Sequence, residues 1–168
     1  MLSRTKALNL LSEMGCEPHV VEHCKAVSSF AVEVAKELKK TGKSVDMELV
    51  EIGGLLHDIG RSHTHGVKHI VEGAKIAESL GLDSRIVRII KTHIGAGLTP
   101  KEAVNLGFPD DDYMPRTIEE KIIAHADNLV EGTKRRSLDE YISQMRDKNL
   151  DESVIERVKQ LAYEIGVY

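Results

Sequence analysis

Between Pro18 and Leu38 the apolar residues Val20, Cys24, Val27, Ala31, Val34 and Leu38 recur in steps of three and four, the spacing that lays one stripe along an α-helix. Pro18 suits the first turn of that helix, and Gly42 ends the segment. The rest of the chain reads in the same way. Ser3 caps a helix to Met14 with Gly15 as its stop, and Asp46 caps another through Val50 and Leu55 to His57, broken at Gly60. Val67 to Leu80 forms a helix stopped by Gly81, and Asp83 caps the next, through Ile86, Ile89 and Ile90 to His93. Thr99 and Glu102, Thr117 and Glu120, and Ser137 and Glu140 each place a hydroxyl three residues before a carboxylate, so the two side chains satisfy each other's helix-start amides. They open a short helix stopped by Gly107, a longer one carrying Ile118, Ile122, Ala126 and Leu129, and a third to about Asp147. A last helix fits Glu152 to Ile165. No segment alternates at period two, so the expected fold is all-α, a compact helical bundle. The one long irregular connection, Gly107 to Arg116, holds Pro109, Pro115 and the aspartates Asp110, Asp111 and Asp112, and long loops of this kind often serve as lids.

A length of 168 residues with no internal repeat and no break in composition predicts a single domain over 1–168. Lys and Arg number 23 against 27 Asp and Glu, a net charge of −4. That balance excludes an extended nucleic-acid surface and gives no pull toward an anionic membrane, so any polyanion must be held locally. The opening Met1-Leu2-Ser3-Arg4-Thr5-Lys6 lacks the apolar core of a secretion signal, which predicts a cytoplasmic protein. Cys16 and Cys24 are too few for a disulfide framework and read as small core fillers.

Eight histidines stand beside two phenylalanines and no tryptophan, and their positions carry the chemistry. His23 lies inside the apolar face of the second helix. His57 and Asp58 stand at a helix end, His69 and His93 near two others, and Asp127 on a helix otherwise apolar around it. Each occupies a place where a core residue is expected, and a buried carboxylate needs a cation or several hydrogen bonds. Any one of these histidines alone reads as a hydrogen-bonded core residue. Together, imidazoles and carboxylates spread over several helices suit Fe, Mn, Co, Ni or Zn, which a bundle can bind by converging them. Adjacent residues on a helix diverge by about 100°, so His57 and Asp58 can reach one object only beside the helix terminus, where a carboxylate can also bridge two ions.

The ordered set His23, His57-Asp58-Ile59-Gly60 and Asp127-Asn128 resembles the HD superfamily of metal-dependent phosphohydrolases over about residues 18 to 135. The resemblance implies that His23, His57, Asp58 and Asp127 ligate a metal. His69-x-x-x-Gly73-x-x-Ile76 and Thr92-His93 resemble the members with a second metal, although Thr92 stands where cyclic-di-GMP phosphodiesterases have a histidine. The pattern is most similar to small stand-alone archaeal members, and that likeness names no substrate. Arg61 takes a position where many members face the substrate phosphate with Lys or Arg. Lys134, Arg135 and Arg136, placed a turn or two beyond Asp127, either add positive charge at the same mouth or form a helix-end cluster favoured by the dipole. His63 and His65, in the loop between Arg61 and Gly66, suit a general acid or are simply exposed histidines; His19 and His125 are given no role.

The expected function is therefore hydrolysis of a nucleotide or similar phosphorylated small molecule, with Asp58, Arg61 and Asp127 catalytic and Arg61, His63, His65, Lys134, Arg135 and Arg136 toward substrate. Two divalent transition-metal ions are expected, His23, His57 and Asp127 on one, His69 and His93 on the other, and Asp58 between them, with water activated at the metal attacking phosphorus. The alternatives are a one-metal nucleotidase using only the first four ligands, and a non-catalytic module that keeps the metal as a ligand sensor.

Overall fold

A computed structural model describes residues 1–168. Nine α-helices follow one another: α1 (Arg4–Glu13), α2 (Pro18–Lys40), α3 (Met47–Leu56), α4 (His69–Ser79), α5 (Ser84–Thr92), α6 (Pro100–Asn105), α7 (Ile118–Asn128), α8 (Leu138–Asp147) and α9 (Glu152–Ile165). A 3₁₀ turn, Ile59–Ser62, links α3 to α4.

The caps expected from the sequence act as caps. Ser3, Asp46, Thr99, Thr117 and Ser137 accept hydrogen bonds from backbone amides two or three residues on, each worth about 1 kcal/mol. At Thr99 and Ser137 the reciprocal bond from the N-cap amide to Glu102 or Glu140 completes the box. Helix α2 runs two residues past Leu38, and α4 starts at His69, two residues later than its apolar pattern suggests.

Helix α2 packs against α3 and α7, and α4 against α5. Its stripe of Val20, Cys24, Val27, Ala31, Val34 and Leu38 is buried as the periodicity predicts, and both cysteines are free and buried. Ile52, Leu55, Leu56, Ile59, Ile89 and Ile122 are almost fully enclosed; each such side chain contributes roughly 2 kcal/mol on leaving water. Gly54 lets α3 approach α2 closely, since a Cβ there would stand 2.7 Å from Ser28 Cα.

Two expectations are corrected. A two-stranded antiparallel hairpin, Val130–Glu131 (β1) with Lys134–Arg135 (β2), follows α7. Strands of two residues are too short to show alternation, and the chain reverses at Gly132, φ 60°, instead of continuing as helix. Arg135 and Lys134 therefore sit on a hairpin, not in a helix-end cluster. The Gly107 to Arg116 loop is pinned and does not cover the metal-site cleft. Arg88 bonds the carbonyls of Asp112 and Met114 at 2.6 and 2.8 Å, Lys91 pairs with Asp111, and Tyr113 packs with Phe108, Ile70 and Ala103 in a small second core. Asp111 and Asp112 act as its anchors, while Asp110 is exposed.

Candidate metal centre

Six side chains meet where several helix ends converge. His57 is the C-cap of α3, with Asp58 next to it; His93 is the C-cap of α5; Asp127 lies in the last turn of α7. Three helix C-termini thus bring their negative dipole ends to one place, which favours a cation. His23 enters from α2 and His69 from the first residue of α4. Two glycines bring α4 in. A Cβ on Gly60 would collide with the His69 carbonyl oxygen, and one on Gly73 would lie 3.1 Å from the Gly60 amide nitrogen, so only hydrogen fits where these backbones cross.

All four imidazoles are oriented alike. Nδ1 of His23 donates to the Gly132 carbonyl at 2.7 Å, that of His57 to Gly54 at 2.7 Å, that of His69 to Gly66 at 2.8 Å and that of His93 to Ile90 at 2.9 Å. Carbonyl oxygens can only accept, so Nδ1 carries the hydrogen and the neutral ring presents a bare Nε2. The four Nε2 atoms face two carboxylates. Asp58 Oδ1 is 3.0 Å from His69 and 3.3 Å from His93, whereas its Oδ2 is 3.6 Å from His57 and 3.8 Å from His23. Asp127 Oδ1 lies 2.9 Å from His23 and 3.4 Å from His57.

Such a set fits a metal on its own chemistry. His57 Nε2 and Asp58 Oδ1 are buried without a hydrogen-bond partner, and lone pairs converging on carboxylates are satisfied together only by cations. Three overlapping trios can each surround one ion: His23, His57 and Asp58; His57, His93 and Asp127; Asp58, His69 and His93. Protons partly stand in when no ion is present. Burial pulls the His57 imidazolium down, but the Asp58 and Asp127 carboxylates outweigh it and raise its pKa to about 9. Asp58 is held well below the usual carboxylate range, because the charge of His57 and the close His69 and His93 rings overcome its burial, and Asp127 is lowered likewise. Burial dominates at His93, whose pKa falls.

Around this centre the sequence-selected residues separate. Arg61 Nε donates to Asp58 Oδ2 at 2.7 Å and Nη1 to the His65 carbonyl at 2.9 Å; it is tied to the carboxylate at the centre of the cluster and is not a free loop charge. His65 lines the cleft. His63 accompanies Ser62 at 3.0 Å on the 3₁₀ turn and does not line it. Arg135 is turned away, paired with Glu33 at 2.6 Å and lying over Phe30, and Lys134 is exposed on the same strand. Arg136 does line the cleft, braced to the Asn128 carbonyl at 2.9 Å and Gln144 at 2.8 Å over the Tyr141 ring. Sequence reasoning passed over Tyr141, Gln144 and Lys148, which form the wall opposite. Their spacing of three and four on a capped helix was the available signal. Burial and the Asp127 charge push the Tyr141 hydroxyl up to about 12, so it stays a donor.

The HD domain family matches residues 20–131, spanning all six clustered side chains from His23 to Asp127. This chain belongs to the HD domain family. It is 53% identical over 143 residues to an uncharacterised protein of Methanocaldococcus jannaschii, covering 85% of this chain and 84% of that one. It is 44% identical over 154 residues to the tRNA (cytidine(56)-2'-O)-methyltransferase of Thermoplasma volcanium, covering 92% of this chain but only 44% of that protein. Its fold matches the HD domain of the L. monocytogenes phosphodiesterase PgpH in complex with cyclic-di-AMP, with a TM-score of 0.57, 18% identity and 97% of both chains covered. No helix is long and apolar enough to cross a membrane.

Proposed function

We propose that this HD-family chain is a metal-dependent phosphohydrolase acting on a nucleotide or related phosphorylated small molecule at a two-ion centre. The observation that carries this reading is the split of Asp58: one oxygen faces the His69 and His93 nitrogens, the other those of His57 and His23. One ion is assigned to His23, His57, Asp58 and Asp127, the second to Asp58, His69 and His93. Bound divalent ions supply Lewis acidity toward a phosphoryl oxygen and make water nucleophilic near neutral pH.

The chain's own residues do the remaining work. Arg61 holds Asp58 in the orientation that presents both oxygens, and its Nη2 is free to take a phosphate oxygen by a charge-assisted bond. The four Nδ1 bonds to main-chain carbonyls lock each ring's tautomer and direction. His65 and Arg136 flank the opening. Thr92 contributes no ligand; its hydroxyl bonds the Arg88 carbonyl at 2.9 Å, so the second ion has fewer protein ligands and binds more weakly.

The test is hydrolysis of bis(p-nitrophenyl) phosphate and p-nitrophenyl phosphate by apo protein reloaded with Mn, Co or Ni. Turnover that chelator abolishes and metal restores is expected. A metal-loaded protein inert toward both esters and a nucleotide panel, yet still binding nucleotides, would instead establish the sensor.

A further inference from the structure

Two depressions adjoin over the metal centre. One, a cavity of about 460 Å³, has His69, His93 and Asp127 on the metal side and Tyr141, Gln144 and Lys148 of α8 opposite. The other, about 530 Å³, has Asp58 on the metal side with His19, Glu22 and Thr133 around it. His23, Arg61, His65 and Gly132 line both and so form the divider. That divider is built from two hydrogen bonds: His23 Nδ1 holds the hairpin turn at Gly132, and Arg61 Nη1 holds the 3₁₀-to-α4 loop at His65.

Each lobe lies within the roughly 300–1,000 Å³ typical of small-ligand pockets, room for one nucleoside unit. The lobes differ in chemistry. The α8 side offers an ammonium, an amide and a phenol donor. On the other side the His19 and His65 rings stack within 23° of parallel, 6.0 Å apart, and offer imidazole faces on which a base can stack, with Glu22 and Thr133 lining the same lobe to bond hydroxyls. A phosphomonoester has a single substituent and leaves one lobe empty; a phosphodiester fills both.

Resting on the phosphohydrolase reading, we infer that the substrate is a short phosphodiester with one nucleoside unit in each lobe and the scissile phosphate on the divider beside Arg61. Lys148 and Glu22 determine that specificity from the two sides. The net charge of −4 and the division of the cleft into two adjoining lobes favour a dinucleotide over a long nucleic acid. In the reaction one P–O bond forms to the oxygen of water and one P–O ester bond breaks. One water proton ends on the departing hydroxyl and the other leaves with the product phosphate or to solvent, giving a nucleoside monophosphate and a nucleotide or nucleoside with a free hydroxyl.

The experiment compares the linear dinucleotide pApA, bis(p-nitrophenyl) phosphate, AMP and an RNA of about twenty nucleotides on the metal-loaded protein. Expected is a preference for pApA over AMP and over the RNA. In Lys148→Ala and in Glu22→Ala, the ratio of kcat/KM for pApA to that for bis(p-nitrophenyl) phosphate should fall about tenfold, chiefly through KM. Both side chains are exposed, so folding is not at risk. Faster hydrolysis of AMP or of the RNA, or an unchanged ratio in both variants, overturns the inference while leaving the hydrolase reading intact. If no metal gives turnover of any ester, the hydrolase reading falls, and calorimetric binding of a phosphorothioate-linked dinucleotide decides the lobe assignment alone: about tenfold weaker binding in both variants supports it, equal binding overturns it.

Discussion

The Nε2 atoms of His69 and His93 stand 3.1 Å apart while both Nδ1 atoms donate to main-chain carbonyls. With the Nδ1 hydrogens so placed, the two neutral rings have no hydrogen to share between them, and each aims a lone pair at the same point beside Asp58 Oδ1.

That point is the proposed weaker metal site. Titrating Mn or Ni into apo protein should give two binding events in the wild type. In His69→Ala the weaker event should disappear while the stronger one survives within about a factor of ten. A single event in the wild type, untouched by His69→Ala and His93→Ala, would make this a one-ion protein.

Arg61 has a structural duty besides any contact with substrate, because it neutralises a carboxylate that is only 3% exposed. Arg61→Ala should lower the stability of the metal-free protein by about 2 kcal/mol. Loading with metal should shrink that loss, since the ions then compensate Asp58. Thermal melts with and without metal read both effects, and an identical loss in the two states would contradict the pairing.

Glu102 links α6 to α9, where both carboxylate oxygens accept from Arg157, at 3.0 and 2.7 Å, besides closing the Thr99 cap. Burial raises its pKa, but the bonds from Arg157 and the Thr99 amide outweigh that and lower it. A carboxylate lowered in the folded state adds stability that is complete above its unfolded pKa of about 4.3 and is lost as pH falls through the folded value. The stability gap between wild type and Glu102→Gln should therefore be constant from pH 7 to 5 and close below about pH 4.5. A gap unaffected by acid would show that Glu102 acts only by packing.

Arg135 supplies the contrasting case. Its guanidinium is half exposed, paired with an equally exposed Glu33 and stacked on Phe30. Arg135→Ala should cost at most about 1 kcal/mol and leave kcat/KM within twofold, as checked on the generic diester. A large kinetic loss would return Arg135 to the cleft.

The helical part of this architecture was legible because caps and apolar stripes are local: Asp46, Thr99 and Ser137 announce helices within one turn of themselves. His23, His57, Asp58, His69, His93 and Asp127 were legible as polar residues on core positions, and the structure brings all six together. What lay beyond reach was direction across a chain reversal. Arg135 closes β2 and Arg136 follows as the chain leaves it, so although they are neighbours in sequence Arg136 braces the cleft and Arg135 pairs away from it with Glu33. That the loop from Gly107 to Arg116 is pinned lay out of reach for a related reason: its anchors, Arg88 and Lys91, lie some twenty residues earlier on α5.

The crossing of Gly60 and Gly73 sets a spacing that no side chain can adjust. Because His69 is positioned against Asp58 where two main chains meet, the interval between the two halves of the centre follows from the van der Waals radii of backbone atoms, as a rigid gauge would set it. Methylene-sized changes among the surrounding isoleucines and leucines can then alter how strongly the bundle resists unfolding while the ligand spacing stays constant. The His69 to Asp58 interval is in that respect insulated from drift in the surrounding core.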